Sequence, residues 1–448
     1  MMRRFLHIIP MMAAVLTAVF SGVSCSKDPD FDISDEPGRQ GHIVHPEEAE
    51  TRNAMILISA GFNDLSGYLS SDIKDLGESY LPEDNRYDDL VFVFSRQPSS
   101  PGIYSIPTAP VLIRMYRNRQ GTAVMDTVLR LDTDAVASSK ASLQKVLTYI
   151  KDEYPAAHYG IVLSSHGTGW LPKGYFSNPS SYDEVYAIPQ GRRMRRAGDP
   201  VLYVDPGYDP SLPAVKTICQ DKVETAGVLY SYEMTLQDLA DAIPMHLDYL
   251  LLDACLMGGV ETAFELKDRC DVIAFSQTEV LAQGFDYKTM TTHLLQTRPA
   301  APGKVCSDYY EYYAAQTGGY QSATISLIDC KQLDRLAAVC KELFEKYRAQ
   351  IASVNPSEVQ GYFRGNRHWF YDLKDILTVA GISAEDTAAL DQVLAACTLY
   401  KNATPQFMNE FPIRAYCGLS MYLPANGSTY LDNAYKELVW NQATALVK

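Results

Sequence analysis

Basic residues are the scarce charge in this 448-residue chain: 39 Lys and Arg stand against 54 Asp and Glu, a net −15 at pH 7. That balance argues against a nucleic-acid binder, which needs basic surface to release counterions from phosphate. There is no CxxC pair and no zinc-type spacing of Cys and His, and the eight histidines are scattered. No metal site and no redox dithiol are therefore expected. No unit of roughly 20–50 residues repeats, which removes solenoids and propellers. Gly (27) and Pro (24) are near average, which excludes collagen-like, low-complexity and wholly disordered chains. What remains is a chain with 47% hydrophobic and 21% charged residues, long enough to bury a large core without staples.

The N-terminus reads as a targeting segment. Arg3 and Arg4 precede an apolar run from Phe5 to Phe20, and Ser21-Gly22-Val23-Ser24 lead to Cys25. This is the order of a secretory signal, here over residues 1–24. A Cys directly after small residues resembles a bacterial lipobox, in which the thiol carries the lipid. The expected location is the bacterial cell envelope, with the chain anchored to a membrane surface through Cys25. The plainer alternatives are an ordinary signal peptide with a chance Cys or an uncleaved anchor helix. Residues 25–50 are polar and aperiodic and read as a flexible tether. The other eight cysteines (Cys219, Cys255, Cys270, Cys306, Cys330, Cys340, Cys397 and Cys417) are widely spaced, and most are expected as buried free thiols.

From residue 51 onward apolar runs alternate with helical periodicity. Continuous runs at 54–60, 90–95, 159–164, 249–252 and 272–275 predict strands buried on both faces; 111–116, 322–328 and 418–423 add three more. Spacings of three and four predict helices at 68–76, 138–154, 235–242, 260–267 and 332–349. Strands separated by helices imply crossovers, hence an α/β fold with a largely parallel sheet flanked by helices. The expected organisation is a core at 51–300, interrupted by an inserted loop at 171–229, and a C-terminal part at 301–448 that completes the sheet. The aromatic cluster Tyr309, Tyr310, Tyr312 and Tyr313 has helical spacing and reads as packing.

Two strand ends carry chemistry. One runs into Ser164-Ser165-His166-Gly167-Thr168-Gly169-Trp170, the other into Asp253-Ala254-Cys255-Leu256-Met257-Gly258. Sites in open α/β sheets form at the carboxyl ends of strands. A Cys there, near the next helix N-terminus, can act as a nucleophile with a neighbouring His, and a Gly after the His lets its N–H approach a reacting carbonyl. A buried Cys and an unrelated loop His is the bland alternative for each motif alone.

Together with Asn63-Asp64-Leu65-Ser66, Asp72-Ile73, Gly284-Phe285-Asp286-Tyr287 and Gly418–Pro424, these segments resemble the clostripain family of cysteine peptidases, in the caspase-like clan. The resemblance spans about residues 54–425. It implies a caspase-like α/β/α sandwich, Cys255 as nucleophile, His166 as its partner, and the N–H groups of Gly167 and Cys255 as oxyanion hole. It also implies Asp253 in the pocket for the residue before the scissile bond, selecting peptide or protein substrates with Arg or Lys there. The alternative for Asp253 is a cap on the following helix. Asp286 or Glu279 is a candidate second carboxylate of the pocket. The inserted loop carries Arg192, Arg193, Arg195 and Arg196, candidate self-processing sites or simply a solvated basic stretch. No cofactor is expected; calcium dependence rests on the resemblance alone. A monomer is expected. The rival function is a catalytically silent, surface-anchored binding protein on the same fold.

Overall fold

The computed structural model describes residues 31–34, 52–59, 65–85, 88–96, 108–176, 221–225, 228–365 and 368–448. Cys25, Cys219 and the four loop arginines lie outside the described residues. The strands are β1 (Phe31–Ser34), β2 (Asn53–Ser59), β3 (Leu90–Ser95), β4 (Val111–Arg117), β5 (Ala123–Arg130), β6 (His158–Ser164), β7 (Asp221–Thr225), β8 (Val228–Tyr232), β9 (Leu247–Asp253), β10 (Cys270–Phe275), β11 (Thr324–Asp329), β12 (Tyr371–Asp372) and β13 (Thr398–Ala403). The helices that matter here are α1 (Ser66–Glu78), α2 (Lys140–Glu153), α3 (Leu236–Ala242), α4 (Val260–Leu266), α5 (Tyr287–Thr291), α6 (Pro302–Ala314) and α7 (Leu333–Lys346).

Ten strands form one sheet in the order β1-β5-β4-β3-β2-β6-β9-β10-β11-β13. Its centre, β3-β2-β6-β9-β10, is parallel throughout. These five are the continuous apolar runs, and Ile56, Phe92, Ile161, Leu251 and Ala274 are fully buried. Burial on both faces is what such runs require. The helices touch one another in two separate sets. The first joins α2 to α3, α3 to α4, and α4 to α7 through the helix Val439–Thr444; the second joins α1 to α5 and the stretch after it to α6. The result is a mixed α/β molecule with helices flanking a large sheet.

The edges differ from expectation in detail. β4 pairs antiparallel with β3 and with β5, and β11 pairs antiparallel with β10 and with β13, so the parallel centre carries antiparallel margins. The expected strand at 418–423 is reduced to Ser420–Met421, paired with β12 outside the main sheet, while β13 supplies the edge. β1 pairs in parallel with β5, so four residues of the expected tether are a strand. Part of the expected insertion is also ordered pairing, since β7 and β8 form an antiparallel hairpin. β11 and β13, the last two strands in the sheet order, come from residues 301–448. Seven cysteines, Cys255, Cys270, Cys306, Cys330, Cys340, Cys397 and Cys417, are free and buried. Burial pushes the Cys306 thiol up to about 12 and the Cys397 thiol to about 11, which makes them inert fillers of the core. Among the described residues no helix is long and apolar enough to cross a membrane.

Candidate active site

The parallel pairing of β6 with β9 sets Ser164 directly opposite Asp253. His166 and Cys255 each lie two residues past that pair, so the register brings both to the same end of two adjacent central strands. Their loops are in direct contact. A Cβ on Gly167 would fall 2.6 Å from the Cys255 carbonyl oxygen and 2.8 Å from the Met257 side chain. A Cβ on Gly169, at φ 56°, would fall 2.7 Å from the Leu256 carbonyl oxygen. Glycine is required at both positions, because the two loops approach backbone to backbone. Trp170 closes the His loop by packing edge-on against Tyr422 and Tyr435.

The turn that carries Cys255 is strained. Leu256 takes φ 58°, a left-handed conformation that a branched side chain rarely adopts. It is held there by burial and by its N–H, which donates to the Thr278 carbonyl at 2.9 Å. Gly258 N–H donates likewise to the Ser276 carbonyl at 2.7 Å, so the stretch after β10 runs alongside the Cys255 loop. Strain of this kind persists only where the surroundings over-determine it, and it concentrates at functional turns.

Beneath the Cys255 loop Asp253 is fully buried. Its Oδ2 accepts from the Tyr287 hydroxyl at 2.8 Å and the Phe285 N–H at 3.3 Å. Ser164 Oγ lies 3.4 Å from Asp253 Oδ2 and 3.4 Å from Asp72 Oδ2, so two buried carboxylates share one hydroxyl. Burial pushes the Tyr287 phenol well above its usual range, and the charges of Asp253 and Asp72 add to the effect. Burial does the same to Tyr309 on α6, with Asp253 and Cys255 adding. Of the aromatic cluster of α6, Tyr309 and Tyr313 are packing, as their spacing predicts, while Tyr312 is exposed. The two buried rings also form the back wall of this carboxylate site, Tyr309 meeting the Phe285 ring edge-on and the Tyr313 hydroxyl donating to the Gly284 carbonyl.

The second carboxylate beside Asp253 is thus Asp72 of α1, not Asp286 or Glu279. Asp286 caps α5, accepting from the Lys288 N–H at 2.9 Å. Glu279 binds the Arg364 guanidinium through both oxygens. In the sequence Asp72 stands out only within the Asp72-Ile73 segment of the family resemblance, with no role attached to it. Phe370 packs on Gly169 and so backs the His loop. A cavity of about 40 Å³ is lined by His166, Gly167, Met234, Leu239 and Met257. A separate cavity of about 670 Å³ between Lys374, Asp391, Leu399 and Tyr416 includes neither His166 nor Cys255. Among the described residues no group of three or more His, Cys, Asp or Glu could hold a metal ion.

With that geometry in view, the sequence model of the clostripain family matches residues 58–187 and 206–446. The chain belongs to the clostripain family. It is a cysteine-type peptidase, and its fold is shared by solved C11 proteases. The chain is similar to an inactive zymogen C11 protease from Parabacteroides distasonis, with 25% identity and a TM-score of 0.67 over 88% of this chain and 97% of that one. A secreted C11 cysteine protease from Bacteroides thetaiotaomicron, solved with an irreversible peptide inhibitor, has 22% identity and a TM-score of 0.65, covering 88% of this chain and 99% of its own. Comparison with curated proteins yields no match.

Proposed function

We propose that this clostripain-family chain is an exported, lipid-anchored endopeptidase that cuts after Arg or Lys. The observation that carries the specificity is the buried Asp253, two residues from Cys255 and joined through Ser164 to Asp72. A guanidinium is the side chain best matched to such carboxylates, because it delivers several fixed N–H donors and sheds water more readily than an ammonium.

In this reading the Cys255 thiolate attacks the scissile carbonyl carbon, forming a C–S bond while the carbonyl oxygen takes up negative charge. The N–H groups of Gly167 and Cys255 stabilise that oxygen. Collapse breaks the C–N bond, and the His166 imidazolium gives its proton to the departing amine. Water, deprotonated by His166, then cleaves the thioester and returns the free thiol. Chemistry of this kind needs no cofactor. Outside the described residues, Cys25 is the proposed lipid attachment, holding a monomer at the cell envelope, and Arg192, Arg193, Arg195 and Arg196 are the proposed self-cleavage region.

The test is a reporter set that differs only in the residue before the scissile bond. Arg and Lys reporters should exceed Gln and Leu reporters in kcat/KM by roughly a thousandfold, as expected where buried charged groups must be matched. Cys255→Ala should abolish turnover and keep its circular dichroism spectrum. Equal turnover of Leu and Arg reporters overturns the pocket assignment, and an active Cys255→Ala overturns the mechanism.

A further inference from the structure

Cys255 is only 1% exposed, a poor condition for a group that must reach the carbonyl carbon of another chain. One residue sits directly on the sulfur. The Val280 N–H donates to Cys255 Sγ at 3.1 Å, and the thiol in turn lies 3.7 Å from the Val280 carbonyl oxygen. A single residue of the stretch after β10 therefore meets the sulfur with both its donor and its acceptor. A nucleophile needs an approach of about 3–3.5 Å with a lone pair aimed at the reacting atom, and the Val280 N–H occupies one lone pair and the space beside it.

The residue just before Val280 ties the stretch to a distant part of the chain. Glu279 and Arg364 form a two-pronged ion pair, Nη2 to Oε1 at 3.0 Å and Nε to Oε2, with side chains 9% and 16% exposed. Burial works against the Arg364 charge, but the bonds and charge of Glu279 outweigh it, and the Cys255 side chain adds to the attraction. Arg364 is thus within electrostatic reach of the same thiol. It belongs to the connection between the short helix Pro356–Glu358 and β12, far in sequence from the strand it holds.

We propose that the Glu279–Val280 peptide, clasped by Arg364, is a built-in cover on Cys255 that must move before the thiol can be acylated. The inference rests on the peptidase reading for its consequence, but the cover itself is a statement about access to sulfur. A paired buried carboxylate and guanidinium make a suitable fastening. The pair is stable while intact, and removing one partner leaves a buried charge that favours the open arrangement.

Alkylation of Cys255 by iodoacetamide, read at its own peptide by mass spectrometry across pH, separates access from acidity. Opening the cover raises the plateau rate at high pH, whereas loss of a nearby cation moves only the midpoint. Glu279→Gln keeps the Arg364 cation and should raise the plateau at least about tenfold. Arg364→Gln should raise it similarly and move the midpoint upward as well. The charge reversal E279R/R364E, which rebuilds the pair, should restore slow labelling, which a general loss of structure would not allow. An unchanged plateau in Glu279→Gln, or fast labelling in the reversed pair, overturns the proposal. Because alkylation needs no substrate, failure of the cover is distinguishable from failure of the peptidase reading, which shows instead as absent turnover of the Arg reporter in every variant.

Discussion

The Tyr287 hydroxyl and Asp253 Oδ2 are 2.8 Å apart in a fully buried setting, with the Phe285 N–H donating to the same oxygen. These two donors on one oxygen hold the carboxylate in a single orientation. Tyr287→Phe should therefore raise KM for an Arg reporter roughly tenfold, the size of one lost hydrogen bond to a charged group, with kcat changed less. Asp253→Asn should lower kcat/KM for Arg and Lys reporters by about a thousandfold or more, while any turnover of a Leu reporter stays within a few fold. Equal losses on both reporter classes would mark Asp253 as a structural acid.

Gly167 offers a second test that depends on backbone approach alone. A methyl group there meets the Cys255 carbonyl and the Met257 side chain well inside contact distance, so one loop must shift away from the other. Misplacement of reacting groups by about 1 Å costs on the order of a hundredfold in rate. Gly167→Ala should lower kcat for the Arg reporter by that order and leave KM nearly unchanged, measured by steady-state kinetics alongside a melting curve. Unaltered kcat would mean that the two loops can separate freely.

The central strands were legible because double-sided burial writes continuous apolar runs, and the His and Cys motifs because they sit where those runs end. What escaped the sequence shares a physical cause. β5 (AVMDTVLR) and β13 (TLYKNA) lie toward or at the margins of the sheet, half exposed, and their mixed composition carries no clear period. The Gly418–Leu423 run is buried on all sides without being a long strand, so apolarity alone misjudged it. Asp72 and Arg364 were invisible as site residues because their neighbours Ser164 and Glu279 come from elsewhere in the chain, and only the fold brings them together. The lipobox and the basic loop stand as sequence readings.

Glu261, six residues after Cys255, gives a prediction about pH. It is fully buried in the first turn of α4, and its Oε1 accepts from the Tyr422 N–H at 2.9 Å and the Tyr435 hydroxyl at 2.7 Å. Burial raises its carboxyl from 4.5 to about 7, the two hydrogen bonds opposing the rise only in part. The folded protein thus holds the proton more tightly than the unfolded chain. The stability this contributes is fully present below pH about 4.5 and is lost as pH rises through about 7. The full difference is of order 3 kcal/mol. Glu261→Gln, which stays neutral, should flatten the dependence, so that urea unfolding at pH 5 and pH 8 gives closer midpoints than in the wild type. A slope unchanged by the substitution would assign the pH response to other groups.

The last prediction concerns the basic loop, and it follows from the register of β6 with β9. Gly160–Ser164 pair with Tyr249–Asp253 in the middle of the sheet, one strand ahead of the insertion and one behind it. A cut between them therefore severs the chain without separating the pieces, because the pairing and the core on both sides remain. The insertion holds Arg192, Arg193, Arg195 and Arg196 in an otherwise acidic chain, and the proposed specificity is for such residues. A protease cleft accepts a segment that can become extended, which an aperiodic stretch rich in Gly and Pro allows. Purified wild type should run as two fragments on a denaturing gel and as one particle by size exclusion, with the new N-terminus between Met194 and Ala197 or nearby. Cys255→Ala should run as a single band, and added wild-type enzyme should cut it at the same bond. Replacing the four arginines with Gln should keep the chain whole. An intact wild-type chain with full turnover of the Arg reporter would leave the loop with no part in maturation.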